Sequence, residues 1–228
     1  MPPLPAEQIA SAIDHTLLDT AGGRDAIETL CDQAAAHRFA AVCVYPWWVA
    51  AARARLAGAA AVCTVVSFPH GLDVTPAKCD AARAAIAAGA DEVDLVMAWP
   101  ALRAGADAEV AADLSAVVES ARRERADAVV KVIVEAAQLT AAELVRACAA
   151  VEASGADFAK TGTGTAGPCT VDAVAAMRRA LPARVAIKAS GGIRTAAAAS
   201  AMLEAGAARI GTSSGVAILA ELEAHAVA

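Results

Sequence analysis

Eight short apolar stretches recur along this chain, each followed by a segment of helical character, and that alternation constrains the fold more than any other feature. The stretches lie at 12–16, 40–45, 61–67, 92–97, 129–134, 158–161, 184–188 and 209–212. Helical segments include 26–37, 76–88, 108–124, 141–153, 171–180 and 195–205. Three of the helical segments run into Ala-Gly-Ala or Ser-Gly-Ala, at Gly89, Gly155 and Gly206, where glycine can take the left-handed conformation that closes a helix. Thr140 followed by Ala141-Ala142-Glu143 is a capping box.

Strand and helix in strict alternation give an α/β protein, either a (β/α)8 TIM barrel or an open doubly wound sheet. Polar residues fall late in many different strands, and in a barrel those ends converge on one mouth, so the barrel is favoured. At 228 residues the whole chain, 1–228, fits one such domain. Period-two alternation puts Glu92 with Asp94, Lys131 with Ile133, Phe158 with Lys160, and Ala186 with Lys188 on the inward face.

Composition narrows the classes of partner. A hydrophobic content of 58% supports a large core, yet no apolar stretch is long and charge-free enough to span a bilayer. The start lacks a basic region followed by an apolar segment, which reads as a soluble cytoplasmic protein with no membrane partner. The net charge of −6 and the lack of a basic stripe argue against nucleic acid. The densest basic run, Arg122-Arg123-Glu124-Arg125, reads as a solvated helix end. Six cysteines without a Cys-x-x-Cys pair read as reduced thiols. The four histidines (His15, His37, His70, His225) show no metal-ligand spacing, so neither a metal nor a cofactor is expected. Trp47, Trp48 and Trp99 read as packing residues near the rim.

The chemistry centres on Asp157-Phe158-Ala159-Lys160-Thr161-Gly162-Thr163-Gly164, an apolar strand that ends in a lysine and breaks into a Thr/Gly loop. A strand-end lysine commonly packs its stem and keeps its ammonium in water. Here, though, the chain has four lysines against fifteen arginines, and Lys131, Lys160 and Lys188 all sit in strand-like stretches. Lys78 reads as a surface residue. Lysines brought together in an apolar pocket disfavour one another's charge, which frees an amine to act as a nucleophile. Asp94, a carboxylate in an apolar strand, then either neutralises a buried lysine or shuttles protons, and the lysine nearer to it should stay charged. Lys131 either adds to the positive field or pairs with Asp94 or Glu135. The glycine-rich loops Ser190-Gly191-Gly192-Ile193-Arg194-Thr195 and Gly211-Thr212-Ser213-Ser214-Gly215 each open a helix, the usual place for a phosphorylated ligand in a barrel.

With these stretches in view, the chain resembles the deoxyribose-phosphate aldolases of bacterial type. The matching motifs are IDHTLLD (13–19), AVCVYP (41–46), VVSFPHG (65–71), ADEVDLVM (90–97), KVIVEAAQLT (131–140), GADFAKTGTG (155–164), IKASGGIRT (187–195) and RIGTSS (209–214). The resemblance implies a (β/α)8 barrel that needs no metal, often forms a homodimer, and cleaves 2-deoxy-D-ribose 5-phosphate reversibly through a Schiff base. It implies that Lys160 forms the Schiff base and that Lys188 and Asp94 relay protons. Gly164, Gly191, Gly192, Arg194, Gly211, Ser213 and Ser214 fall where the family holds phosphate and hydroxyls. Asp14 and Thr16 match residues lining the pocket, and Lys131 is grouped with this substrate-binding set. Another Schiff-base aldolase acting on a different sugar phosphate would share these parts. A non-catalytic sugar-phosphate-binding barrel would be expected to lack a catalytic lysine or Asp94. The chain departs from the family pattern at Gly162 (usually serine), at Thr165 (lysine in some members) and at Ala136 (usually threonine). It ends in His225-Ala226-Val227-Ala228 where some members carry a tyrosine, and Tyr45 is its single tyrosine.

Overall fold

The computed structural model describes the backbone of residues 4–226 and the side chains of residues 4–224, so the side chain of His225 and the chain end lie outside the described residues. Alternation along the chain becomes β1 (Ile13–Leu17), β2 (Ala41–Val44), β3 (Ala61–Val66), β4 (Glu92–Val96), β5 (Val129–Ile133), β6 (Phe158–Lys160), β7 (Ala186–Ser190) and β8 (Arg209–Thr212). The helices are α1 (Ala6–Ala10), α2 (Arg24–His37), α3 (Val49–Leu56), α4 (Thr75–Ala87), α5 (Trp99–Arg103), α6 (Asp107–Glu124), α7 (Ala141–Ser154), α8 (Val171–Ala180), α9 (Ala196–Glu204) and α10 (Gly215–Ala226). All strands are parallel, each pairs with the next, and β8 pairs with β1 to close the barrel.

Parallel neighbours in register share a face, so pairing fixes what meets inside. Lys160 stands beside Lys188, Lys188 beside Arg209, and Asp94 beside Lys131. The alternate residues Val42, Val62, Val93, Leu95, Val130, Val132, Ile187 and Ile210 turn outward and are buried under the helices. Each such side chain contributes roughly 1.5–3 kcal/mol when fully buried. Within the barrel, β2 and β3 present a small apolar wall of Ala41, Cys43, Cys63 and Val65. The facing strands present charge instead.

Turn chemistry follows the sequence closely. Thr140 accepts the N–H of Glu143 while the Glu143 carboxylate accepts the N–H of Thr140, completing the capping box of α7. Gly89, Gly155 and Gly206 all adopt positive φ at the ends of α4, α7 and α9. The seventh strand begins two residues later than expected, because Val185 donates to Pro182 O and is held in a turn. Two further readings are corrected. Lys78 is buried rather than at the surface: its Nζ lies 2.6 Å from Asp113 Oδ2 across the α4–α6 contact, and Thr75 also donates to Asp113. Trp47 is 85% exposed and packs on nothing in the core, whereas Trp48 packs against it. Trp99 lies under the Arg103 guanidinium, 5.9 Å from the ring centroid. All six cysteines are free thiols.

Candidate active site

The upper ends of the strands surround a cavity of about 540 Å³. Thr16, Lys160, Gly164, Gly191, Gly192, Arg194, Gly211 and Ser213 all line it. Four other sequence-derived candidates, Asp14, Asp94, Lys131 and Lys188, lie inside the barrel and are completely buried. Ser214 is not part of the lining; its N–H donates to Thr212 Oγ1 (2.9 Å) at the start of α10.

The floor is an ionic cluster. Asp94 Oδ2 accepts from both Lys160 Nζ and Lys188 Nζ at 2.7 Å, and Asp94 Oδ1 accepts from Lys131 Nζ at 3.1 Å. Distance to Asp94 therefore does not separate the two upper lysines, contrary to the sequence-based expectation. Asp14 does separate them: its Oδ2 lies 2.5 Å from Lys188 Nζ. Lys131 pairs with Glu92 (2.5 Å) and Asp94, not with Glu135. Arg209, the first residue of β8, bridges Asp14 (2.5 Å) and Glu92 (3.2 Å). Neither Arg209 nor Glu92 was assigned a role from sequence; inter-strand register brings them in.

These contacts set the charge states. Burial pushes the Lys188 ammonium toward neutrality, but Asp14 and Asp94 prevail and raise its pKa above the ordinary lysine value. Burial likewise opposes charge on Asp94, yet Lys131, Lys160 and Lys188 hold its carboxyl well below the usual carboxylate range. Lys131 is raised in the same way, burial being outweighed chiefly by Asp94. Three carboxylates thus face four cations, leaving one surplus positive charge. Lys160 reaches the cavity and has one carboxylate partner, Asp94. Cys43, Cys63 and Asp94 bring donor atoms within 4.8 Å of one another, as do Asp14, Cys63 and Glu92. Their carboxylates already carry this excess of cations, which opposes a metal ion there.

Above the floor, small residues make room. A Cβ on Gly211 would stand 2.9 Å from Ser190 Cβ and 3.1 Å from Lys188 Cε, so glycine lets the lysine stem pass. The Ser190 hydroxyl donates to Gly162 O (2.5 Å) and Thr161 Oγ1 donates to Ser190 O (3.0 Å), tying the β6 and β7 exits together. Arg194 is a cation in the same lining as Thr163, Gly164 and Thr165. Glu135, two residues beyond β5, is buried with left-handed backbone (φ 57°) and receives the N–H and hydroxyl of Thr163.

A closed parallel barrel that lifts an amine into its mouth beside a buried carboxylate and a second amine has the parts of an enzyme that attacks carbonyl carbon. The comparisons place it more narrowly: the chain belongs to the DeoC/LacD family of aldolases, whose model matches residues 8–221. It is 46% identical over 217 residues to the deoxyribose-phosphate aldolase of Shouchella clausii, covering 94% of this chain and 96% of that one. Deoxyribose-phosphate aldolase 1 of Cutibacterium acnes is also 46% identical, over 95% of this chain and 99% of its own length. Among solved structures, the tetrameric deoxyribose phosphate aldolase of Aeropyrum pernix superposes with a TM-score of 0.89 at 29% identity, covering 97% of this chain and 93% of that one. The protein is therefore an aldolase, a carbon–carbon lyase.

Proposed function

We propose that the chain, as one barrel domain over residues 1–228, catalyses reversible cleavage of 2-deoxy-D-ribose 5-phosphate into D-glyceraldehyde 3-phosphate and acetaldehyde. The observation that carries this reading is Lys160 Nζ at the cavity floor, 2.7 Å from the Asp94 oxygen that Lys188 also holds. Neutral Lys160 attacks the C1 aldehyde, and loss of water gives an iminium. The iminium accepts the electron pair of the C2–C3 bond as that bond breaks and the C3 hydroxyl loses its proton. Protonation of the resulting enamine and hydrolysis release acetaldehyde. Lys188, kept charged by Asp14 and Asp94, is the proton store; Asp94 joins it to Lys160 and orients both amines.

The phosphate is placed at the Gly191-Gly192 loop and Ser213, with Arg194 as its cation, and Thr16 lies in the same wall. Lys131 acts from beneath by holding Asp94. The same reading has the protein as a cytoplasmic homodimer; among the described residues no helix is long and apolar enough to cross a membrane. The test is turnover of a panel of sugar phosphates with acetaldehyde release as the readout. Deoxyribose 5-phosphate should give the highest kcat/KM; a better substrate that releases no acetaldehyde would replace this reading. Sedimentation should give a dimer mass, and a monomer or a tetramer would overturn that part.

A further inference from the structure

The lip of the cavity at Thr163, Gly164 and Thr165 is built in an unusual sense for a wall that meets an anion. Glu135 Oε1 and Oε2 lie 3.2 and 3.3 Å from the Thr163 nitrogen, and Thr163 Oγ1 is 2.6 Å from Oε2. Thr163 Oγ1 is in turn 2.7 Å from Thr165 Oγ1 and 3.1 Å from Thr165 N. A carboxylate has no proton to give, and a hydroxyl has one. The direction of the whole relay is therefore fixed: Thr163 donates to Glu135, and Thr165 donates to Thr163 through both its hydroxyl and its N–H. These four donors, the N–H and hydroxyl of Thr163 and of Thr165, are taken up by Glu135 and Thr163, and the Thr165 hydroxyl oxygen is left as an acceptor.

Gly162 is what allows the carboxylate to sit there. A Cβ at position 162 would stand 2.7 Å from Glu135 Oε1, closer than a side chain can come. Glu135 is itself 1% exposed, so its charge is presented to the lip from behind rather than dispersed in water. Next to the lip, so close that a Cβ on Gly164 would stand 3.5 Å from Gly191 Cα, the Gly191-Gly192 loop remains for a phosphate, with Ser213 and Arg194 in the same lining.

Resting on the reaction proposed above, we infer that Glu135 is a specificity-determining positioning residue, which makes the 163–165 lip an acceptor edge and so weakens the pocket's preference for phosphorylated over unphosphorylated 2-deoxy sugars. A terminal hydroxyl can donate to that edge; a phosphate dianion meets lone pairs backed by a carboxylate.

Glu135→Gln tests it, because the amide keeps the size, loses the charge and can donate to Thr163 Oγ1. That reverses the relay and turns a threonine hydroxyl toward the cavity. The readout is the ratio of kcat/KM for deoxyribose 5-phosphate to kcat/KM for deoxyribose. One recovered charge-assisted hydrogen bond raises it about tenfold, chiefly through a lower KM for the phosphorylated sugar. Thr163→Val, which removes the central link, should move the ratio the same way and decides the matter if the first variant does not fold. A ratio that stays the same or falls means that Glu135 only holds the loop and overturns the inference. Binding of inorganic phosphate by calorimetry separates this failure from failure of the proposed reaction. Tighter phosphate binding in Glu135→Gln than in the native protein supports the inference even if neither sugar is cleaved, and equal or weaker binding overturns it.

Discussion

The floor and the mouth of this barrel are built from opposite materials. In the floor, Asp14, Glu92 and Asp94 are locked to Lys131, Lys160, Lys188 and Arg209, almost wholly out of water. In the mouth, glycine at 164, 191, 192 and 211, small hydroxyl side chains and Arg194 line the cavity beside apolar groups such as Leu17 and Phe68. Burying so many charges is costly, and replacing a buried ion pair with apolar side chains is often neutral or stabilising. Stability therefore gives no reason for the floor to be ionic, while proton transfer between fixed amines does. The mouth can vary without touching that chemistry, so substrate preference should be separable from bond cleavage by mutation.

The largest break in this comparison should come from Lys188→Leu. On the proposed mechanism it removes the proton store but leaves the amine of Lys160 in place. We expect kcat to fall by about a hundredfold, within the range of general acid–base effects, while borohydride still traps acetaldehyde on Lys160. Loss of trapping together with turnover would mean that the floor cannot be divided into nucleophile and proton carrier.

Next in size is an effect on stability. Burial raises the Asp14 carboxyl, but Lys188, Lys131 and Arg209 prevail and lower it to about 2. In the unfolded chain the same group titrates near 4. The native state is therefore favoured above about pH 4, and that advantage fades as the pH falls toward 2 because the unfolded chain takes up the proton first. Asp14→Asn should remove ~2 kcal/mol of the acid dependence of unfolding across this window. Urea titrations at pH 5 and pH 2.5 measure it; an unchanged slope would deny the group its charge pairing.

The smallest effect belongs to the mouth. Thr165 lines the cavity and is exposed, so Thr165→Lys adds a cation to the lining that holds Arg194. A charge-assisted hydrogen bond there should raise kcat/KM for deoxyribose 5-phosphate about tenfold. Unphosphorylated deoxyribose should hardly change. Equal gains on both sugars would place residue 165 in loop order rather than phosphate binding.

The two regions also differ in how far the sequence revealed them. The barrel was legible because period-two strands, capping Thr140 and helix-ending glycines recur in step, and local rules agree with the global fold. Lys160, Lys188 and Asp94 could be picked out as polar residues in apolar strands, and the register brings them together. Arg209 and Glu92 were not given roles, since each looks like an ordinary strand-starting charge until eight strands are closed and Lys188 falls beside Arg209. Lys78 was misread because its partner, Asp113, lies on another helix 35 residues away. The relay from Glu135 to Thr165 depends on a left-handed residue and on the missing Cβ at Gly162, neither of which periodicity reports.

The proposed mechanism turns on which amine meets the carbonyl carbon. Incubating the protein with acetaldehyde, reducing with borohydride and mapping the modified peptide answers this directly. The structure predicts one ethyl group on Lys160, the lysine that lines the cavity, and no labelling in Lys160→Ala, which should also lose nearly all turnover. Label on Lys188 or Lys131 in the native protein would contradict it.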